Sequence, residues 1–401
     1  MQVARRLLEE IFASKRVQCA ISLTGGGGNV VGEILGTSGA SSTLLEVTVP
    51  YYQQSLLDFL DLSSDVTKSF KFSSQEVSML MAKKSLERAR CLVPLDEAAK
   101  CVGIGCTAAL VSLQPRRGSH RAFVTLHTAK GIYNFNFEMH KGARVRKEED
   151  ECVGNLIVLA LSKAAQVDYT ALKSQLAIHP EDVLVEEPTI EHDLSFEKSI
   201  AFFPQDIVLR DMPWKKMLVI PGSFNPIHDG HLQFAAAAQR LLHTLYGETF
   251  HTLFELSIKN ADKGIVNQVE IDNRVQGVVQ AKDQRLVVTK TSLFVEKASL
   301  FPSCVFAVGA DTAIRLVDLK YYDNDPGNLW RALSHIESQK CSFVVAGRIV
   351  DTVYVSAEEA ISRVPAAFQA KFNPLSESEF RVDLSSTQIR QGKVPPPPSN
   401  L

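Results

Sequence analysis

The stretch Met217–Gln239, "MLVIPGSFNPIHDGHLQFAAAAQ", decides the fold of the second half of this chain. An apolar run is followed by a turn rich in glycine and proline, and the turn is followed by an alanine-rich run. This order is typical of a buried strand, a tight turn and a helix. Gly222 lets backbone N–H groups approach an anion, and the helix directs its positive end to the same place. The stretch therefore predicts a phosphate site.

Further apolar runs alternate with amphipathic stretches after this turn: "HTLFELSI", "QRLVVTK", "CVFAVGAD" and "CSFVVAGR". Near-continuous apolar strands separated by helices predict a parallel sheet that is covered on both faces. In such sheets ligands bind beyond the carboxyl ends of the strands, which is where the glycine turn lies.

Two histidines, His228 and His231, lie three residues apart at the start of the predicted helix. The transition state of nucleotidyl transfer spreads negative charge over the α-phosphate and the departing pyrophosphate. A helix end supplies only about half a positive charge, so side-chain donors are needed as well, and two imidazoles on one turn supply them. The structural alternative is that His228 caps the loop and His231 packs under the helix.

Two motifs resemble one known family. "GSFNPIHDGH" resembles the G-x-F-x-P-x-H-x-G-H signature of the nucleotidylyltransferase superfamily, and "DLSSTQIRQG" at 383–392 resembles its second signature, I-S-S-T-x-I-R. The resemblance covers Met217 to about Lys393 and implies a Rossmann-like domain that binds ATP with Mg²⁺. It implies catalytic roles for His228, His231 and Arg390, and nucleotide binding by Gly222, Ser223, Phe224, Asn225, Arg348, Ser386 and Thr387. A substrate phosphate would attack the α-phosphate directly, without a protein nucleophile.

Ser223 and Asn225 make the first signature most similar to that of the nicotinamide mononucleotide adenylyltransferases. The same resemblance implies an acceptor site formed by Lys263, Arg274, Asp311 and Trp330. An indole is suited to this role because it stacks favourably on a flat cation such as the nicotinamide ring. A core aromatic is the alternative for Trp330, and a surface charge is the alternative for Arg348. A cytidylyl- or pantetheine-phosphate-type transferase and a non-catalytic nicotinamide-nucleotide sensor also stay open.

A run of four glycines, Gly25–Gly28, characterises the first half. "AISLTGG", "SSQEVSMLMA" and "VGIGCTAAL" resemble the amidase domain of the competence-damage (CinA) family, which deamidates nicotinamide mononucleotide. The chain keeps Ser22, Thr24, Gly25 and Gly26 of the family's A-E-S-C-T-G-G. Ile21 replaces its glutamate, Leu23 replaces its cysteine, and Leu56 or Leu57 falls where it has a lysine. A serine nucleophile needs a neighbouring base, so we expect the fold with a vestigial site. Ser22 would then only cap the following turn.

Composition and charge limit the possible partners. The chain has 401 residues with a formal net charge of −2, so no strong positive field is available to hold a nucleic acid. Its 7 cysteines are scattered without a C-x-x-C pair, which predicts neither a zinc site nor a disulfide framework. No apolar run reaches the length of a membrane span. We expect a cytoplasmic protein and a possible homo-oligomer, with peroxisomal import through Ser399-Asn400-Leu401 as the alternative.

These observations predict a two-domain α/β protein. We expect an amidase-type α/β domain at 1–166, a linker with at most one short helix or strand at 167–212, and a Rossmann-like transferase domain with a parallel sheet at 213–393. The linker follows from weak periodicity, clustered acids and recurring prolines. The tail 394–401 contains four consecutive prolines, which favour extended polyproline.

Overall fold

The computed structural model describes residues 2–63, 71–114, 117–176, 179–189, 198–204, 207–260, 264–265, 268–350, 353–382 and 386–392. The chain divides into two compact units, Met1–Ser195 and Phe196–Leu401. In the described part of the chain, no helix combines the length and the apolar character that crossing a membrane requires.

In its described residues, the first unit combines six helices with a six-stranded sheet. Its helices are α1 (Gln2–Ser14), α2 (Asn29–Leu35), α3 (Gln53–Phe59), α4 (Gln75–Leu92), α5 (Arg146–Ala165) and α6 (Thr170–Leu176). Its strands are β1 (Gln18–Thr24), β2 (Leu44–Thr48), β3 (Cys101–Ala109), β4 (His120–Thr128), β5 (Gly131–Met139) and β6 (Val183–Thr189). Short 3₁₀ helices lie at Ala40–Ser42 and Leu95–Lys100.

The sheet of the first unit is mixed, with the order β2-β1-β3-β4-β5-β6. Strand β1 runs parallel to β2 and β3, whereas β3, β4, β5 and β6 pair antiparallel in that order. Successive residues of a strand point to opposite faces. Cys19, Ile21 and Leu23 accordingly join the main core, which includes α1 and α5, while Ala20 packs with Leu86 of α4.

The segment 167–212 differs from the expected linker. It holds α6 and β6 of the first unit, and two strands of the second unit, β7 (Ser199–Phe203) and β8 (Ile207–Arg210). Its acidic composition reflects ion pairing: Glu186 of β6 binds Lys163 of α5 and Lys173 of α6, both at 2.7 Å. The weak hydrophobic periodicity has a simple reason, because β6 is an edge strand in which no residue is buried and exposed positions carry valine.

The second unit consists of helices around an eight-stranded sheet. Beyond β7 and β8, the strands of this unit are β9 (Met217–Pro221), β10 (His251–Ser257), β11 (Lys259–Asn260), β12 (Gly264–Ile265), β13 (Leu286–Thr289), β14 (Val305–Gly309), β15 (Ser342–Ala346), β16 (Arg348–Val350), β17 (Val353–Val355) and β18 (Phe372–Leu375). Strands β11 and β12 form a separate two-stranded pair, as do β16 and β17, and the other strands form the large sheet. Its helices are α7 (Asp229–Tyr246), α8 (Gln268–Val275), α9 (Phe294–Leu300), α10 (Ala310–Leu316), α11 (Pro326–Ser338), α12 (Ala357–Ser362) and α13 (Ser386–Arg390). A π-helical turn spans Gln276–Gln280, and 3₁₀ helices span Leu319–Tyr322 and Ala366–Lys371.

The large sheet has the order β18-β15-β14-β9-β10-β13-β7-β8, and all strands from β18 to β13 are parallel. This is the doubly wound arrangement in which the chain starts at a central strand, builds one half and then the other. The strand order reverses between β9 and β14. The predicted parallel sheet is confirmed, and the reversal places a crevice beyond the carboxyl ends of β9 and β14.

Candidate functional site

The loop 222–228 leaves β9 at this crevice and is held by contacts with the neighbouring strand β10. The Gly222 N–H donates to the carbonyl oxygen of Glu255 at 2.9 Å. Phe224 has φ +45° and is 2% exposed, and its ring lies edge-on to His231 and Phe254. The Phe224 side chain is therefore a core anchor that supports the loop. We expected Phe224 to bind the nucleotide, but its side chain is buried, so only its backbone could contact a nucleotide.

The two histidines meet at the first turn of α7. His228 is the N-terminal cap residue, and its backbone N–H donates to His231 Nδ1 at 3.2 Å. The two imidazole centroids are 3.9 Å apart. A Cβ on Gly230 would lie 2.8 Å from Val382 Cγ1 and 3.0 Å from the His228 ring, so a larger residue here would displace one of these side chains. Because Nδ1 accepts a hydrogen bond, the proton of neutral His231 belongs on Nε2, which leaves Nε2–H as a donor.

Both imidazoles are held neutral near pH 7. Burial, with a contribution from the Arg348 cation, lowers the pKa of His228. Burial and the neighbouring His228 lower the pKa of His231 to about 4. Nδ1 of His228 is buried without a hydrogen-bond partner. The pair thus offers neutral polar groups, one of them unsatisfied, in a confined space where a ligand atom would be stabilised.

Asp311 and Arg348 lie at the ends of the neighbouring strands β14 and β15. Arg348 Nε is 3.8 Å from Asp311 Oδ1, an oxygen that is buried and accepts no hydrogen bond. A Cβ on Gly309 would lie 2.7 Å from the same oxygen. The Arg348 side chain is half exposed, so its guanidinium remains accessible from the crevice. A cation and an unsatisfied carboxylate oxygen therefore lie close together beside the histidines.

The second motif contacts the first across a separation of 160 residues in the chain. Ser386 Oγ donates to the carbonyl oxygen of Pro226 at 2.9 Å. Arg390 donates to the carbonyl oxygen of Asn225, and also to Thr387 Oγ1 at 3.1 Å. Helix α13 thus binds backbone carbonyl groups of the loop 222–228, which we call the signature loop. Residues 383–385 of the motif lie outside the described residues.

The four residues expected to bind the acceptor lie in different surroundings. Lys263 lies outside the described residues. Arg274 is 8% exposed, and it donates to the carbonyl oxygens of Ser223 at 3.3 Å and Glu270 at 3.0 Å. Arg274 therefore supports the signature loop at Ser223, whereas α13 contacts Asn225 and Pro226, and the sequence did not reveal this contact of Arg274.

Trp330 is not the buried core aromatic that was the alternative. Its side chain is 51% exposed, and one edge packs against the ring of Phe368 at a centroid distance of 4.9 Å. Phe368 belongs to the 3₁₀ helix that precedes β18. Asp311, the other residue expected at the acceptor site, follows the carboxyl end of a different strand, β14. Stacking of Trp330 on a nicotinamide ring stays a prediction.

Sequence reasoning also missed how the chain packs at Gly347, the residue before Arg348. The Tyr354 hydroxyl oxygen would lie 2.1 Å from a Cβ on Gly347, so only glycine allows this contact next to Arg348. The guanidinium of Arg381 lies 4.6 Å from the centroid of the Tyr354 ring. The glycine before Arg348 was the one available signal, but it did not identify the aromatic partner.

The expected amidase serine lies inside the first unit. Ser22 is 0% exposed, and its Oγ lies 3.3 Å from the carbonyl oxygen of Met81 and 2.9 Å from Ser85 Oγ. Ser22 therefore bonds to α4 and does not cap the turn after β1. Leu56 and Leu57, at the expected lysine position, are 2% and 1% exposed. The hydrogen bonds that the described residues give Ser22 go to carbonyl oxygens and to a serine hydroxyl, and neither kind of group is a base.

The glycine run is occupied by a side chain of the protein itself. The Asp150 carboxylate accepts hydrogen bonds from the backbone N–H groups of Gly27 at 2.7 Å, Gly28 at 3.3 Å and Asn29 at 3.1 Å. Arg146, one turn earlier in α5, donates to the carbonyl oxygen of Gly25 at 2.8 Å. Successive N–H groups of this kind form an anion-binding nest. Here the anion is Asp150, so the loop holds α5.

The described residues include no group of three or more histidine, cysteine or acidic side chains arranged to hold a metal ion. The donor set of the crevice consists of imidazoles, guanidinium groups and one carboxylate, which suits an anion better than a resident cation. A Mg²⁺ that enters with a triphosphate fits these residues, since its main ligands are the phosphate oxygens.

Residues 219–392 match the cytidylyltransferase-like family model. The second unit thus contains a cytidylyltransferase-like nucleotidyltransferase domain, and the match spans both motifs. A search of the curated proteins gives no match.

Solved structures of competence-damage superfamily proteins resemble part of the chain. The protein from Escherichia coli is 16% identical, with 43% of this chain and 88% of that chain covered and a TM-score of 0.30. The competence/damage-inducible protein of Agrobacterium tumefaciens is 18% identical, with coverages of 44% and 94% and a TM-score of 0.30. The Enterobacter cloacae protein is 12% identical, with coverages of 40% and 92% and a TM-score of 0.32.

Proposed function

We propose that the second unit transfers the adenylyl group of ATP to nicotinamide or nicotinate mononucleotide and releases pyrophosphate. The observation that carries this proposal is the convergence of the two motifs, 160 residues apart, around one loop at the strand-order reversal. A phosphorylated acceptor and a triphosphate both need cationic and hydrogen-bonding groups there, and the crevice offers them. Ser223 and Asn225 of the signature favour the nicotinamide mononucleotide type of acceptor.

Each group in the crevice has a task in this reaction. The helix end of α7 and His231 Nε2–H would donate to the α-phosphate as it gains charge. Arg348 would bind the departing pyrophosphate, and Arg390 would exchange its contact with the Asn225 carbonyl for a phosphate oxygen. Asp311 would accept a hydrogen bond from a hydroxyl or amino group of a substrate. Mg²⁺ bound to ATP would neutralise part of the phosphate charge.

A second candidate is cytidylyl transfer to a phosphorylated alcohol. The cytidylyltransferase-like description of residues 219–392 favours it. The two candidates separate in one assay, which offers the protein ATP or CTP with Mg²⁺ and a panel of phosphorylated acceptors and measures pyrophosphate release. Better turnover with CTP and a phosphorylated alcohol would replace the first proposal. Binding without any turnover would identify a nucleotide sensor.

The replacement His231→Ala tests the site itself. Loss of one preorganised donor should lower the rate of pyrophosphate release about a hundredfold. His243→Ala, at an exposed position on the same helix, is the matched control and should keep the wild-type rate. A wild-type rate in His231→Ala would place the chemistry elsewhere.

We further propose that the first unit does not deamidate nicotinamide mononucleotide. Ser22 is buried against α4, and leucine at the expected lysine position cannot remove its proton. The full chain should release no ammonia from the mononucleotide above the level of a Ser22→Ala variant. Ammonia release that disappears in Ser22→Ala would establish an amidase with an unexpected base.

A further inference from the structure

The second unit contains a buried ion pair that the proposed chemistry does not use. Glu255, in β10, is 1% exposed, and Lys297, in α9, is 4% exposed. Lys297 Nζ donates to Glu255 Oε1 at 2.5 Å, and Thr289 Oγ1 donates to the same oxygen at 2.5 Å. The two charges are 42 residues apart in sequence, and no periodic pattern connects them.

This pair lies directly beside the signature loop. The backbone carbonyl of Glu255 accepts the N–H of Gly222, the first residue of the loop, and Glu255 is also the register partner of Pro221 in β9. The position of Glu255 therefore determines where the signature loop begins relative to the end of β10.

The other end of the pair holds the chain that follows β13. Lys297 Nζ donates to the carbonyl oxygen of Thr291 at 3.1 Å, and Ser257 Oγ donates to the same carbonyl. The Ile258 N–H donates to the carbonyl oxygen of Thr289 at 2.9 Å. Through these bonds, the carboxyl ends of β9, β10 and β13 are fastened to one another at the edge that carries the crevice.

Stability alone gives a weak reason for such a pair. Removing two charges from water is costly, and apolar residues of similar volume often stabilise a core equally well or better. A pair of fixed geometry does offer something that apolar contacts do not, because its hydrogen bonds define one arrangement of the strand ends.

We propose that Glu255 and Lys297 are positioning residues for nucleotidyl transfer, which hold the start of the signature loop in the geometry that the reaction requires. The inference rests on the proposed transferase function. Neither side chain touches substrate; both act through the Gly222 amide and the strand ends. In-line attack is sensitive to displacements of about 1 Å, so a loosened loop should lower kcat more than it weakens ATP binding.

The test uses the full chain with the double replacement Glu255→Gln and Lys297→Met, which removes both charges and keeps the volume. We expect urea unfolding close to that of the wild type, kcat for pyrophosphate release about tenfold lower, and KM for ATP within about twofold. Thr289→Val, a milder change, should move kcat in the same direction. The matched control is Lys163→Met, which breaks an ion pair in the first unit and should leave kcat unchanged.

Hydrogen exchange of the segment 217–228 is the second measurement. We expect faster exchange in the double variant and in Thr289→Val, and no change in Lys163→Met. Wild-type kcat together with wild-type exchange would show that the pair is only structural and would overturn the inference. If the wild type itself releases no pyrophosphate with any acceptor, the proposed function fails, and exchange alone then decides whether the pair positions the loop.

Discussion

His231 shows how burial changes the chemistry of a single residue. Its Nδ1 is used by the His228 amide, and burial and His228 lower its pKa to about 4. Near neutral pH it is therefore a donor through Nε2 without a charge of its own. Because the His231 ring is neutral, it is not repelled by the Arg348 cation, and it does not form a pair of like charges with His228.

The pH dependence of stability follows from the same pKa. The unfolded chain binds a proton at His231 below about pH 6.5, whereas the folded chain resists protonation until about pH 4. The unfolded state therefore binds more protons across this window, and stability falls as the pH drops. In urea unfolding, the wild type should lose about 2 kcal/mol more than His231→Gln between about pH 7.5 and about pH 5. Equal losses in the two proteins would show that His231 titrates normally in the fold.

The turn between β1 and α2 shows that four identical residues can have different roles within one element. Gly25 has φ +78°, and a Cβ there would lie 2.1 Å from the carbonyl oxygen of Ala108. Gly28 has φ −63°, and a Cβ there would meet no atom within 4 Å. The run therefore serves close packing against the end of β3 and the nest around Asp150.

These glycines supply a stability prediction with an internal control. Gly25→Ala should lower the free energy of unfolding by about 2 kcal/mol or more, because it combines backbone strain with a backbone clash. Gly28→Ala should change it by less than about 1 kcal/mol. Urea unfolding of the two full-length variants measures both values. A similar effect at both positions would contradict the assigned packing of the loop.

At the scale of the whole molecule, the boundary between the units is set by strand pairing. β6 pairs with β5 of the first sheet, whereas β7 pairs with β13 of the second. Every residue of β13 is buried, and the strand pairs with β10 on one side and with β7 on the other. The side chain of Trp214 is 1% exposed and donates to Ser199 Oγ of β7 at 3.2 Å. The second unit is thus complete only with the β7–β8 hairpin.

Two fragments test this boundary. Residues 196–401 should fold and release pyrophosphate like the full chain, because they contain all eight strands of the large sheet. Residues 213–401 lack β7 and β8, so β13 becomes an exposed apolar edge and the fragment should unfold at lower temperature and aggregate. Thermal unfolding and sedimentation compare the two. Equal behaviour would show that the hairpin is dispensable.

What the sequence by itself determined is local in the chain. Periodicity and spacings of a few residues predict the strand, turn and helix around Gly222 and the apolar strands of the parallel sheet. The same short spacings place His228 and His231 on one helical turn. The tertiary structure alone revealed the Asp150 carboxylate in the glycine nest, Arg274 under the signature loop, the buried Glu255–Lys297 pair and the β7–β8 hairpin. All except the hairpin connect residues between 42 and 123 positions apart. The hairpin itself belongs to the second unit because β7 pairs with β13, far along the chain. The physical reason is that burial, hydrogen bonding and strand pairing depend on which distant segments come into contact, and no local pattern encodes the partner.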